Sequence, residues 1–184
     1  MKRVRREELL DWVTWSERRP AVLPAILAAK AARRVHLGPQ LTLLFENADT
    51  VRYQIQEMMR VERIVRESDI LHELETYNEL LGGAGELGAT LLIEIDDPRA
   101  RAELLPRWIG LPPRIYLGLP GGRRAFARVD ERQIDAERVS AVQYLRFDTG
   151  GVLPLALGTD FPELAQEVAL DEAQRAALAE DLRS

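Results

Sequence analysis

Halfway along this chain the spacing of apolar residues changes, and the change fixes the fold class. In the first half they recur at three and four positions, as in Leu9, Trp12 and Val13, then Val22, Leu23, Ile26 and Leu27. This is the period of a helix with one buried side. Further on, Leu91, Ile93 and Ile95 alternate with Leu92 and Glu94, a rhythm that keeps one kind of residue on one face only in an extended strand. Helical patterns come first, strand patterns later and helical patterns again at the end. That order predicts an α+β fold, with helices packed on one face of a mostly antiparallel sheet. A length of 184 residues suits a single domain with a core of its own.

Local signals divide the chain into three parts. Residues 1–36 read as basic N-terminal helices, with Pro20 separating one helix from a second that runs to about Arg34, because proline suits a first helical turn. Trp12 and Trp15 share a helix face and are expected to pack. Residues 41–147 form the core. There Leu41 to Phe45 is a strand, and Asn47 or Asp49 caps a helix whose buried side is Val51, Ile55, Met58, Val61 or Glu62, and Val65. Ser68 or Asp69 caps the next helix, which carries Ile70, Leu71, Leu74 and Leu81 up to Gly82-Gly83. Asp97-Pro98 starts a short helix that Pro106 should end or kink. Arg114 to Leu119 and Arg123 to Val129 flank Pro120-Gly121-Gly122 as a hairpin, and Val139 to Phe147 is the longest β run. Asp148 to Gly158 reads as the loosest joint, with a strand at Leu153 to Leu157. Residues 160–184 read as C-terminal helices, capped at Asp160-Phe161-Pro162-Glu163 and again at Asp171 to Gln174.

Composition excludes several chemistries. With no cysteine the chain offers no disulfide, thiolate metal site or cysteine nucleophile. No Gly-rich phosphate loop, Gly-x-Ser-x-Gly elbow or His-Glu-x-x-His motif is present. The basic start is followed by Glu7, Glu8 and Asp11 where an export signal needs an apolar run, and no apolar stretch is long enough to span a membrane. A cytoplasmic protein without membrane association is the expectation. The net charge of −5 is uneven, +5 over residues 1–36 and −10 over the rest. Such an arm could attract nucleic acid through Arg3, Arg5, Arg6, Arg33 and Arg34, but arginines of this kind more commonly form a solvated helix face, so nucleic acid is the less favoured partner.

The chemically informative stretch is Glu46 to Asn78. It places Gln54, Glu57, Arg60, Glu62, His72, Glu73, Tyr77 and Asn78 on adjacent helices as a candidate binding cluster. Glu57 and Arg60 share a face at i,i+3. Asp69-x-x-His72 has the spacing that carboxylate-bridged metal bundles use, so Glu57, Glu62, His72 and Glu73 are the candidate ligands of a divalent metal. A hydrogen-bonded or ion-paired network between the helices is the favoured account, because charges tolerate burial only when paired. His36, near a run of arginines, is assigned no catalytic role. Gln143 and Tyr144 could lend polar atoms to a pocket, or serve only as cross-strand contacts.

Three segments, RRVHLGPQLTLLFENADTVRYQIQEMMRVERI, HELETYNELLGGAGELGATLLIEI and RVSAVQYLRF, spread over residues 33–147, resemble the bacterial family catalogued as domain of unknown function 3501. The resemblance implies a whole-chain domain and an accessory protein encoded beside rubrerythrin-like and iron-sulfur redox proteins. It carries no activity. Gly88 stands where the resemblance leads one to expect serine, and Asp160-Phe161-Pro162 stands where it leads one to expect a His-Pro pair. The functional expectation is an accessory or binding protein of a redox or oxidative-stress system, with a redox protein partner and a homodimer left open. A metal-dependent enzyme or metalloprotein is the alternative, and nucleic-acid binding through the N-terminal arm a third reading.

Overall fold

The computed structural model describes residues 2–130 and 135–184. Among them are α1 (Trp12–Ala31), β1 (Arg34–Leu37), β2 (Leu41–Glu46), α2 (Ala48–Glu62), α3 (Glu67–Asn78), β3 (Glu86–Ile93) and α4 (Pro98–Arg107). There follow β4 (Ile115–Gly118), β5 (Arg124–Val129), β6 (Val142–Asp148), β7 (Ala156–Thr159), β8 (Gln166–Ala169) and α5 (Glu172–Arg183). The fold is α+β. Every strand pairing is antiparallel, in the order β1-β2-β3-β6-β5-β4-β7-β8. The sheet curls until its two edges meet, where Gln166 of β8 donates to the Leu37 carbonyl of β1 at 3.2 Å.

Alternation along each strand sorts side chains between two faces. Leu43, Phe45, Leu91, Leu145, Phe147 and Leu117 point into the curl and are almost wholly buried. α4 and α5 close opposite ends of it, contributing Leu105, the adjoining Trp108, and Leu178. α1, α2 and α3 lie on the outer face of β2 and β3, where buried Glu46 accepts from Thr50 of α2 at 2.6 Å and from Thr90 of β3 at 2.8 Å. These helices have cores of their own. Val51, Ile55, Met59, Ile70 and Leu74 form one, and Trp15, Ile26 and Tyr53 another. No described helix is long and apolar enough to cross a membrane.

The N-terminal segment is strapped onto this layer by two amide side chains. Asn78 accepts from Val4 N–H and donates to Val4 C=O, both at 2.9 Å. Gln56 does the same to Leu10, at 2.6 and 3.0 Å. Each amide thus imitates a strand partner for a backbone that has none, and Val4 and Leu9 are pressed into the α2/α3 core. Asn78→Ala should cost about 2 kcal/mol, because it leaves two buried backbone groups unpaired. Limited tryptic cleavage after Arg3 or Arg5 should accelerate in the variant, and unchanged cleavage would refute the clamp.

Several sequence expectations are corrected. Pro20 does not divide two helices. α1 runs through Pro20 and Pro24, because both rings sit on the exposed side, where water can solvate the freed carbonyls while Trp15 and Ile26 hold the other side to α2. The helix ends at Ala31 rather than Arg34, and the next residues form β1, which pairs with β2 across a turn at Gly38, φ +67°. The buried side of α2 includes Tyr53 and Met59, whereas Met58 is half-buried and Val61 and Val65 are exposed. α3 starts before Ser68 and Asp69 and has no side-chain cap; Arg6 instead holds Glu67 of its first turn through two bonds of 2.7 and 2.9 Å.

β3 rather than β6 is the longest strand, and the strand expected at Leu153 to Leu157 lies at Ala156–Thr159. Asp148 to Gly158 is tied down, with Thr149 N–H, Thr149 hydroxyl and Gly151 N–H all donating to the Gly85 carbonyl. Asp160 to Glu163 caps no helix. Asp160 is held by Arg114 at 2.7 Å and Glu163 by Arg107 at 2.8 Å, and the chain turns into β8. Asn47, Asp97 and the Asp171/Gln174 box do cap α2, α4 and α5.

Candidate functional site

The polar residues of α2 and α3 do not converge on one point. Glu57 faces α1, where it accepts from Trp15 Nε1 at 2.9 Å, Arg19 Nε at 2.9 Å and Arg60 Nη2 at 3.1 Å. Burial alone would raise its pKa, but the bonds from Arg60, Trp15 and Arg19 outweigh burial and bring it down to about 2. The sequence led one to expect a network between α2 and α3; the one formed at Glu57 instead joins α2 to α1 and includes no residue of α3. Because the folded pKa lies below the ordinary 4.5, the contribution is fully present above about pH 4.5 and is lost as pH falls towards 2. It amounts to about 3 kcal/mol, from the shift of 4.5 to about 2 at 1.36 kcal/mol per unit. Urea unfolding of the wild type should weaken over that window more steeply than that of Glu57→Gln. Parallel curves would refute the network's role.

Glu62 and His72 are exposed and line a groove of about 490 Å³ at the α2–α3 corner, together with Asp69 and one side of Glu73. The corner turns on Arg63, a left-handed residue at φ +52° whose guanidinium lies over Trp12. Among the described residues no group of three or more His, Asp or Glu is placed to hold a metal ion. Of the four candidate ligands, Glu57 lies outside the groove and is already bound by three donors. Asn78 faces inward and binds the N-terminal strap.

Gln54, Tyr77 and the other side of Glu73 belong to a different place. α3 leans over the outer face of β5 and β6, and between them is a cleft of about 570 Å³. Its α3 wall carries Glu73, Thr76 and Tyr77, and its floor Arg128, Tyr144 and Arg146. Tyr77 is bonded by Gln54; burial, with Tyr144 and Glu73 nearby, raises its phenol above the ordinary value despite that bond. Arg128 is paired with Glu86 and stands 3.8 Å from Asp148.

The sequence reading named Tyr77, Glu73 and Tyr144 but missed Arg128 and Arg146. The available signal was the outward set Arg124, Phe126 and Arg128 on one strand and Val142, Tyr144 and Arg146 on another. What brings these together is the register Arg128↔Arg146, which local patterning does not specify.

The N-terminal arginines differ from expectation, and His36 is held within the sheet. Arg33 is no solvated helix-face residue but is buried on Asp181 at 2.8 Å, and Arg5 and Arg6 of the N-terminal arm also pair with carboxylates. His36 Nδ1 lies 2.8 Å from the Thr42 hydroxyl, which donates to Glu94 at 2.6 Å. Since that hydroxyl hydrogen is committed to Glu94, His36 Nδ1 is the donor in this contact.

No curated protein matches this chain. A crystal structure at 1.90 Å resolution of a novel protein of unknown function from Burkholderia pseudomallei K96243 is similar to it, with a TM-score of 0.90 and 34% identity over 98% of this chain and 100% of that one. The likeness therefore extends over nearly the whole fold. The family described as protein of unknown function (DUF3501) has a model that matches residues 3–182, and the chain belongs to that family.

Proposed function

We propose that this protein is a bacterial accessory protein that acts by binding, through the cleft between α3 and the outer face of β5 and β6, and that it serves a redox or oxidative-stress system. The observation that carries the binding half is the cleft itself. Its volume of about 570 Å³ is in the range that holds a small molecule or an inserted side chain. Its polar groups stand on hydrogen-bonded strands and on a helix anchored at Asn78, so they are preorganised rather than carried on loops. The redox half rests on the family resemblance alone.

Thr76→Trp would fill the cleft from its α3 wall. Co-purification from the native host should recover a redox protein with the wild type and lose it with Thr76→Trp, and recovery of no redox protein would overturn the assignment. The metalloprotein reading draws on Glu62, His72 and Glu73 sharing the α2–α3 groove. Elemental analysis of untagged protein separates the two, because a stoichiometric metal lost in His72→Ala would favour that reading.

A further inference from the structure

We infer that the cleft takes a small ligand carrying a carboxylate or phosphoryl group on an apolar body, with Arg146 as the anion anchor. This rests on the cleft being the binding site. Arg146 and Arg128 are direct cross-strand neighbours in the β5–β6 ladder. Like charges in that position repel and weaken the pairing, so the arrangement needs compensation. Arg128 has it from Glu86 and Asp148. Arg146 has no ion-pair partner among the described residues, and the residue across from it on β3 is Gly88, which brings no side chain.

The floor therefore presents an exposed guanidinium that no described carboxylate pairs directly, the group best shaped to grip a carboxylate or phosphoryl oxygen pair. Beside it Tyr77, Tyr144, Leu80 and Val129 offer apolar surface for the body of the ligand. The rim decides its size. Glu73, Glu79 and Asp130 stand around the same cleft, and the latter two already have interactions of their own. A long polyanion would run against these carboxylates, whereas a single anionic group can reach Arg146 past them.

Calorimetric titration of the full chain with benzoate, phenyl phosphate and benzylamine tests the assignment. Benzoate or phenyl phosphate should bind the wild type, and Arg146→Gln should weaken it at least tenfold. Arg99→Gln, on α4 away from the cleft, should leave affinity unchanged. Unliganded Arg146→Gln should melt no lower than the wild type, since it removes a repulsion, so lost binding would not reflect lost folding. Whichever of the two anions binds more tightly tells a carboxylate site from a phosphoryl site. Anion binding indifferent to Arg146→Gln, or no anion binding at all, would overturn the inference. Benzylamine binding in place of the anions, abolished by Thr76→Trp, would overturn it while leaving the cleft as the binding site. Partner capture insensitive to Thr76→Trp would instead remove the cleft reading on which it rests.

Discussion

Asp181→Ala is expected to cost about 3–5 kcal/mol of stability, the range for removing one member of a buried ion pair. The side chains of Arg33 and Asp181 are only 6% and 3% exposed, and Arg33 meets both carboxylate oxygens at 2.8 Å. Arg33 also donates to the Ala29 carbonyl at 3.1 Å, and Asn47 reaches Asp181 at 3.3 Å. One carboxylate near the C-terminus therefore holds the junction of α1 with β1 and the cap of α2. Without it a guanidinium stays buried with no countercharge, which is the costly half of the exchange. The double variant Arg33→Met/Asp181→Leu should recover most of the loss, since apolar residues of similar size remove the need for compensation. Urea unfolding of the three proteins decides the matter. A loss below about 1 kcal/mol for Asp181→Ala would mean that water reaches the pair and that its burial is not maintained.

The second large effect is expected at Gly88, and there the direction is opposite to what the family resemblance suggests. A Cβ at this position would overlap the Leu80 carbonyl oxygen, lying 3.0 Å from its carbon and 3.2 Å from Gly82 N. All three contacts are backbone, which cannot rotate away as a flexible side chain would. Gly88→Ser should therefore cost about 3 kcal/mol, at the upper end of ordinary overpacking. The turn after α3 should be pushed off β3. Because that turn carries Glu79 and Leu80 to the cleft, the variant should also lose hydrogen-exchange protection at Leu80 and Leu81, whose amides bond Tyr77 and Asn78 carbonyls. A fully stable Gly88→Ser would show that the turn can move without penalty. Where a serine stands at this position in a related chain, the turn must lie farther from the sheet.

Parts of the site were legible in the sequence because they depend on neighbours within one element. Glu57 and Arg60 meet because residues three apart on a helix share a face, and Asn47 caps α2 because its side-chain oxygen is the nearest acceptor for the Thr50 amide. Tyr77 and Glu73 were within reach for the same reason. Asn78 was visible as polar but not as a clamp, since its partner, Val4, lies 74 positions away. Arg146 was indistinguishable from any outward strand arginine until the ladder set it beside Arg128 and opposite Gly88.

The sequence by itself determined the fold class, most strand positions, three helix caps and the family, all of which follow from periods and contacts spanning a few residues. Tertiary structure decided that α1 continues through two prolines, that Arg33 is buried and that the strap is held by amides. It also decided that the cleft proposed as the binding site opens against β5 and β6 rather than between α2 and α3. These depend on pairings between residues tens of positions apart, and a local pattern of apolar and polar residues is compatible with many such pairings. Only packing against the rest of the chain selects among them, through the burial of charge and the filling of space.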